Sequence, residues 1–122
     1  MTKVLYLEDY PLQREMIAQL LELGGYEVAV AADGLEGVAK AQAWRPDIIL
    51  TDLQMPRMDG FQAIKKLRSL KETAQIPIIS LSAMIGNGYK ERALAAGADV
   101  HLTKPVDLTR LLSTIKAYLP GG

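Results

Sequence analysis

Residues 48–52 read Ile48-Ile49-Leu50-Thr51-Asp52. Strand side chains alternate between the two faces, so three consecutive apolar residues put hydrocarbon on both. Such a strand must be covered from both sides. Val4-Leu5-Tyr6-Leu7 reads the same way, and so does the segment Ile76 to Leu81. Between these runs the apolar spacing turns helical. Pro11 suits a first helical turn, and Leu12, Met16, Ile17, Leu20 and Leu21 follow until Gly24-Gly25. Glu27 to Ala31 reads as a second strand. Asp33 caps a helix carrying Leu35, Val38 and Ala39, which ends before Pro46. Phe61, Ile64 and Leu67 mark a third helix. Asn87 opens a short Ala-rich helix that Gly97 closes, and Val100 to Leu102 is a brief fifth strand. Asp107 caps a last helix with Leu108, Leu111, Leu112, Ile115 and Leu119 on one face, stopped by Pro120. Five strands alternating with five helices predict an α/β fold, a doubly wound five-stranded parallel sheet. In that architecture the loops after the strands form the crevice where function collects.

A chain of 122 residues allows one domain, and an apolar fraction of 49% is ample for its core. We expect a single domain over residues 1–122, with a core from about Lys3 to Leu119 and no output domain after the last helix. Fourteen Lys and Arg balance fourteen Asp and Glu, which speaks against direct nucleic-acid or anionic-membrane binding. The absence of cysteine removes disulfides, thiolate metal sites and thiol nucleophiles together. One histidine, His101, rules out a multi-imidazole metal site. The acidic start, with Glu8 and Asp9, is no secretory signal, and Thr73 to Tyr89 is too polar for a membrane span. A cytoplasmic location is expected. The neutral total hides an asymmetry, −5 over residues 1–61 and +5 over residues 62–122.

The strand ends carry the specific chemistry. The first strand ends in Leu7-Glu8-Asp9, the third in Thr51-Asp52, the fourth in Leu81-Ser82-Ala83, and the fifth is followed by Thr103-Lys104-Pro105. If strands one and three are neighbours, Glu8, Asp9 and Asp52 converge. Two like charges ~4 Å apart repel by roughly 4 kcal/mol at an effective dielectric of about 20. Either the carboxyls become less acidic or a cation sits among them. Hard oxygen donors without His or Cys suit Mg²⁺ or Mn²⁺. A carboxylate, a divalent ion, the Lys104 ammonium and the Ser82 hydroxyl are the parts required for phosphoryl transfer to an aspartate.

Glu8-Asp9, Asp52 followed by Met55-Pro56 and Met58-Asp59-Gly60, Ser82-Ala83, Gly97-Ala98-Asp99 and Lys104-Pro105 stand in that order. In this the chain resembles the response-regulator receiver domain, from about Lys3 to Leu119. The resemblance implies a flavodoxin-like (βα)5 sheet of strand order 2-1-3-4-5. It also implies that Asp52 is the phospho-acceptor and that Mg²⁺ is held by Asp9, Asp52 and the backbone carbonyl of Gln54, with Glu8 acting through a water. Lys104 would contact the phosphoryl group, after a Lys-Pro bond that is usually cis in the family. Ser82 would hydrogen-bond the group once it is on. The implied partners are a histidine kinase or histidine phosphotransfer domain as donor and an unidentified protein as target. The target would be read by a face built from helix four, strand five and helix five. The expected protein is a regulatory switch rather than an enzyme, promoting only its own phosphorylation and slow dephosphorylation.

His101 departs from the family, which usually has Tyr or Phe there as a ring that turns inward on activation. A histidine ring can serve as the same switch. Val106, where Phe is common, is a packing change. Trp44 reads as the cover of a helix end more readily than as a partner anchor. Met84, two residues after Ser82, could shield the phosphoryl group and lengthen its lifetime. The helix from Gly88 to Ala96 offers little apolar area and should be the least stable element.

Three other functions fit the sequence less well. A flavodoxin-like electron carrier would need a phosphate loop where Glu8-Asp9-Tyr10-Pro11 stands. An aspartyl-nucleophile phosphatase would need a second Asp where Gln54 stands. A degenerate receiver acting as a phosphorylation-independent interaction module usually lacks one of the site residues, and all are present here. No Gly-x-Ser-x-Gly elbow or Gly-Lys-Ser/Thr nucleotide loop occurs.

Overall fold

The computed structural model describes residues 1–86 and 88–119. Its elements run β1 (Lys3–Leu7), α1 (Pro11–Leu23), β2 (Glu27–Ala31), α2 (Gly34–Trp44), β3 (Ile48–Asp52), α3 (Gly60–Ser69), β4 (Ile78–Ser82), α4 (Tyr89–Ala96), β5 (Val100–Thr103) and α5 (Leu108–Tyr118). The strands form one parallel sheet in the order β2-β1-β3-β4-β5. This is the flavodoxin-like order expected. The chain winds outward from β1 to β2, then crosses back to β3 on the other side. A crevice opens where the winding reverses, between β1 and β3.

Alternation along the strands divides the core in two. Leu5, Leu7, Ile49 and Ile78 face Val38, Ala41, Ile64, Leu67 and Ala93, on the side of α2, α3 and α4. Val4, Tyr6, Ile48, Leu50, Ile79 and Leu81 face Ile17, Leu21, Leu111 and Ile115, on the side of α1 and α5. Every residue of β3 is buried, which is why its sequence is apolar on both faces. The helices start where the capping residues stand. Asp33 accepts from the Glu36 amide at 2.9 Å, and Asp107 accepts from the Thr109 amide at 3.1 Å. Asp59 and Gln62 form a reciprocal capping box at the start of α3. Pro11 occupies the first turn of α1.

The structure differs from the sequence reading at a few ends. β4 begins at Ile78, not Ile76. The Ile76 amide donates to Thr73 O in a turn, and Pro77 has no amide to give to a ladder. β5 runs one residue further, to Thr103. Gly88, at φ +69°, precedes α4, while Asn87, expected to open that helix, lies outside the described residues. Pro120, expected to stop α5, also lies outside them, with Gly121-Gly122. α4 buries only Ala93 and Ala96 and leaves Leu94 39% exposed, in keeping with its weak apolar pattern. Among the described residues no helix is long and apolar enough to cross a membrane.

Gly97-Ala98-Asp99 has a structural task. Asp99 Oδ2 accepts from the Ile78 amide at 2.8 Å and from Arg68 Nη2 at 2.9 Å, and Arg68 Nε donates to Gly97 O at 2.9 Å. One carboxylate thus starts β4 and ties α3 to the α4–β5 corner. Replacing Asp99 by Ala leaves the Ile78 amide and the Arg68 guanidinium short of an acceptor. We expect Asp99→Ala to lose about 1–3 kcal/mol of stability by urea unfolding, with the carboxylate cluster at the far end of β4 unaffected.

Candidate functional site

β1 and β3 are paired with Leu7 opposite Thr51, so the residues that follow emerge side by side. Glu8, Asp9 and Asp52 each present a carboxylate oxygen, and these atoms lie within 4.8 Å of one another. Their surroundings differ. Glu8 is 1% exposed and Asp52 8%, whereas Asp9 faces solvent. Asp52 Oδ1 accepts from the Leu53 amide at 2.8 Å, which fixes the plane of the carboxylate. Its Oδ2 lies 3.4 Å from Lys104 Nζ.

Lys104 arrives from the opposite side of the crevice. Its amide donates to Ser82 O at 2.9 Å, and its bond to Pro105 is cis, as the resemblance implied. The ammonium donates to Glu8 Oε1 at 2.7 Å and to Gln13 Oε1 at 3.1 Å. It is therefore closer to Glu8 than to Asp52. Glu8 Oε1 also accepts from the Tyr6 hydroxyl at 3.2 Å, and Oε2 accepts from the Tyr10 amide at 3.2 Å.

These contacts set the acidities. Burial pushes the Asp52 carboxyl up to about 6, with the Glu8 charge adding to it and Lys104 partly offsetting it. Burial acts on Glu8 in the same direction. There the Lys104 hydrogen bond and charge, with the Tyr10 amide and the Tyr6 hydroxyl, outweigh it and hold the carboxyl below its ordinary value. Asp9 is raised, first by desolvation and then by Glu8. Burial and then Glu8 push the Tyr6 phenol up, so it stays protonated.

The loop after Asp52 folds back tightly. The Gly60 amide donates to Leu53 O at 3.0 Å. A Cβ on Gly60 would collide with the Asp52 carbonyl oxygen and come within 2.6 Å of Leu53 Cα. This close approach explains the glycine of Met58-Asp59-Gly60. Met55 and Met58 pack against the core, and Gln54 is left exposed. Arg57, at φ +64°, pairs with the buried Asp33 at the start of α2, Nε to Oδ2 at 2.8 Å. The loop is thereby pinned to its neighbour.

Ser82 lies buried at the end of β4. Its Oγ accepts from the Met84 amide at 3.0 Å, a bond to its own loop. His101 is half-buried in β5, with Nδ1 2.8 Å from Ser80 Oγ. Desolvation and then Lys90 lower the His101 pKa. Met84, Tyr89, His101, Val106 and Arg110 line a groove of about 520 Å³ between α4, β5 and α5. Trp44 covers the end of α2, partly buried against the core, with Lys3 Nζ 4.9 Å from its ring.

Sequence reasoning missed Tyr6, Gln13, Ser80 and Arg57 as parts of this end of the molecule. Tyr6 was within reach, since it stands two residues before Glu8 and shares its strand face. Ser80 meets His101 through the β4–β5 register, and Arg57 meets Asp33 across 24 residues. No local pattern signals either pair.

Three converging carboxylates outnumber the one ammonium, and their donors are all hard oxygens. The residues fit a small divalent cation with water completing its shell, such as Mg²⁺ or Mn²⁺.

Residues 4–116 match the model of the family described as response regulator receiver domain. The chain is 37% identical over 119 residues to the DNA-binding dual master transcriptional regulator RpaA of Synechocystis sp.. That match takes in 98% of this chain but 49% of RpaA, so the chain spans about half of that relative's length. The structure of Vibrio cholerae chemotaxis protein CheY4 superimposes with a TM-score of 0.91 at 39% identity, over 98% of this chain and 99% of that one. The receiver domain of the sensor histidine kinase PA1611 from Pseudomonas aeruginosa gives 0.90 at 32% identity, over 96% of each chain. That structure has a magnesium ion coordinated in its active-site cleft.

The raised Asp52 acidity makes a stability prediction. The folded carboxyl titrates at about 6 against an ordinary 3.8, so the folded state binds this proton more tightly than the unfolded chain. Stability therefore falls as pH rises from about 4 to about 6 and stays lowered above that. In Mg²⁺-free buffer at pH 7.5, Asp52→Asn should be more stable than the wild type by about 1–3 kcal/mol in urea unfolding. The gain should disappear near pH 4.

Proposed function

The chain belongs to the response regulator receiver domain family, and from that membership we propose that Asp52 takes a phosphoryl group from a phosphohistidine donor. The observation that carries the reading is the Lys104 ammonium 3.4 Å from Asp52 Oδ2, across from a cluster of three carboxylates. The donor belongs to a histidine kinase or histidine phosphotransfer domain. An Asp52 carboxylate oxygen attacks phosphorus, the P–N bond breaks, and the released imidazole nitrogen takes up a proton. Leu53 N–H holds the carboxylate plane during the approach. Lys104 is placed to receive charge from the equatorial oxygens. Asp9, Asp52 and the Gln54 carbonyl would hold Mg²⁺ or Mn²⁺, and Glu8 would act through a water. Bound there, the ion supplies further neutralisation of the transferring group.

The chain is thus a regulatory domain, which aids its own phosphorylation and slow dephosphorylation and turns over no separate substrate. The new group draws the Ser82 hydroxyl away from the Met84 amide. The loop between them runs into the groove at α4, β5 and α5, where His101 sits. α4 buries only two alanines, which suits a population shift of that face. Its target is a protein; nucleic acid and membrane are not direct partners. Met84, 38% exposed beside Ser82, slows hydrolysis by crowding water.

Intact mass is the direct test. With acetyl phosphate and Mg²⁺ the wild type should gain the mass of one phosphoryl group, and Asp52→Asn should gain none. Chelation of Mg²⁺ should abolish the gain. Persistence of the gain in Asp52→Asn would move the acceptor elsewhere. If Asp52→Asn binds its partners unchanged, the phosphorylation-independent module is the better reading.

A further inference from the structure

Tyr6 is a wholly buried tyrosine of β1, in the same apolar cluster as Val4, Ile17, Leu21, Ile48, Leu50 and Leu81. Packing alone would be served by phenylalanine. The hydroxyl instead donates to Glu8 Oε1 at 3.2 Å, because residues two apart on a strand share a face. That same oxygen takes Lys104 Nζ at 2.7 Å. Glu8 is 1% exposed, so bulk solvent has little access to the place of a donor that leaves.

Lys104 has two duties that compete. In this structure its ammonium is bonded to Glu8 and to Gln13, and lies further off, at 3.4 Å, from Asp52. A phosphoryl group on Asp52 draws it away from Glu8. A buried carboxylate that loses its cation is costly unless another donor stays. The Tyr10 amide serves the other oxygen, Oε2. Tyr6 is the donor on Oε1 that the sheet holds in place.

We propose that Tyr6 is a positioning residue for the phosphoryl-transfer site: its phenol fixes Glu8 and keeps that carboxylate hydrogen-bonded while Lys104 turns to the group on Asp52. The proposal rests on the reading of Asp52 as acceptor. It assigns a role in the switch to a residue of the apolar core, acting through Glu8 and without contact to the reacting atoms.

Tyr6→Phe keeps the ring and removes the hydroxyl. The probe is beryllofluoride, titrated with excess fluoride and saturating Mg²⁺ and followed by amide chemical shifts. We expect the apparent affinity of Tyr6→Phe to fall about tenfold, the size of one charge-assisted hydrogen bond. In a Glu8→Gln background the same substitution should change the affinity less than twofold, because the effect passes through Glu8. A purely structural role would lower affinity equally in both backgrounds and would overturn the proposal, as would an unchanged affinity in Tyr6→Phe. Wild type that binds no beryllofluoride would overturn the acceptor reading itself. Should Tyr6→Phe unfold, the phenol proton of the wild type decides. It should remain slowly exchanging, with contacts to the Glu8 side chain, both free and with beryllofluoride. Its loss or departure from Glu8 on binding would sink the idea.

Discussion

Like-charge repulsion at the mouth of the sheet governs this molecule. Glu8, Asp9 and Asp52 are forced together by the pairing of β1 with β3, and the Tyr10 and Leu53 amides relieve them only in part. One ammonium, carried in from β5, is set against three carboxylates. The response is unequal. Glu8 takes the shortest contact with Lys104 and stays ionised, while Asp52 is left partly uncompensated and less acidic. A carboxyl in that condition gains from any cation or any rearrangement that brings Lys104 nearer. The site is thus primed by what it lacks.

The sheet edge connects that imbalance to the surface. Ser82 and Lys104 leave β4 and β5 side by side, joined by the Lys104 amide and Ser82 carbonyl. The chain beyond Ser82 enters the groove lined by Met84, Tyr89 and His101. The Ser82 hydroxyl thus stands next to a face whose covering helix buries only two alanines. The Arg68–Asp99 corner ties α3 to the C-terminal end of α4 and to the approach to β5 by several hydrogen bonds. The Ser80–His101 bond lies between the two regions and holds the ring in the sheet.

Much of this was legible along the chain because the signals are local. Ile48-Ile49-Leu50 shows that both faces are covered, and Asp33 and Asp107 announce their helices through caps that bond two or three residues on. Pro77 looks like strand because apolar residues flank it, and its missing amide keeps it out. Tyr6 has the apolar neighbours of a core residue, and that pattern hides the reach of its hydroxyl two residues on to Glu8.

Residue order alone dictates which elements form, which residues are apolar on which face, and that acids stand after two strands with a lysine after a third. Hydrogen bonding, capping and side-chain alternation act over a few residues, so their pattern survives in one dimension. Folding in three dimensions sets how the charges are shared: Lys104 sits nearer Glu8 than Asp52, Tyr6 and Gln13 join them, Ser80 holds His101, and Arg57 pins Asp33. Distance and burial set electrostatic strength, and both arise only when strands far apart in the chain take up their register.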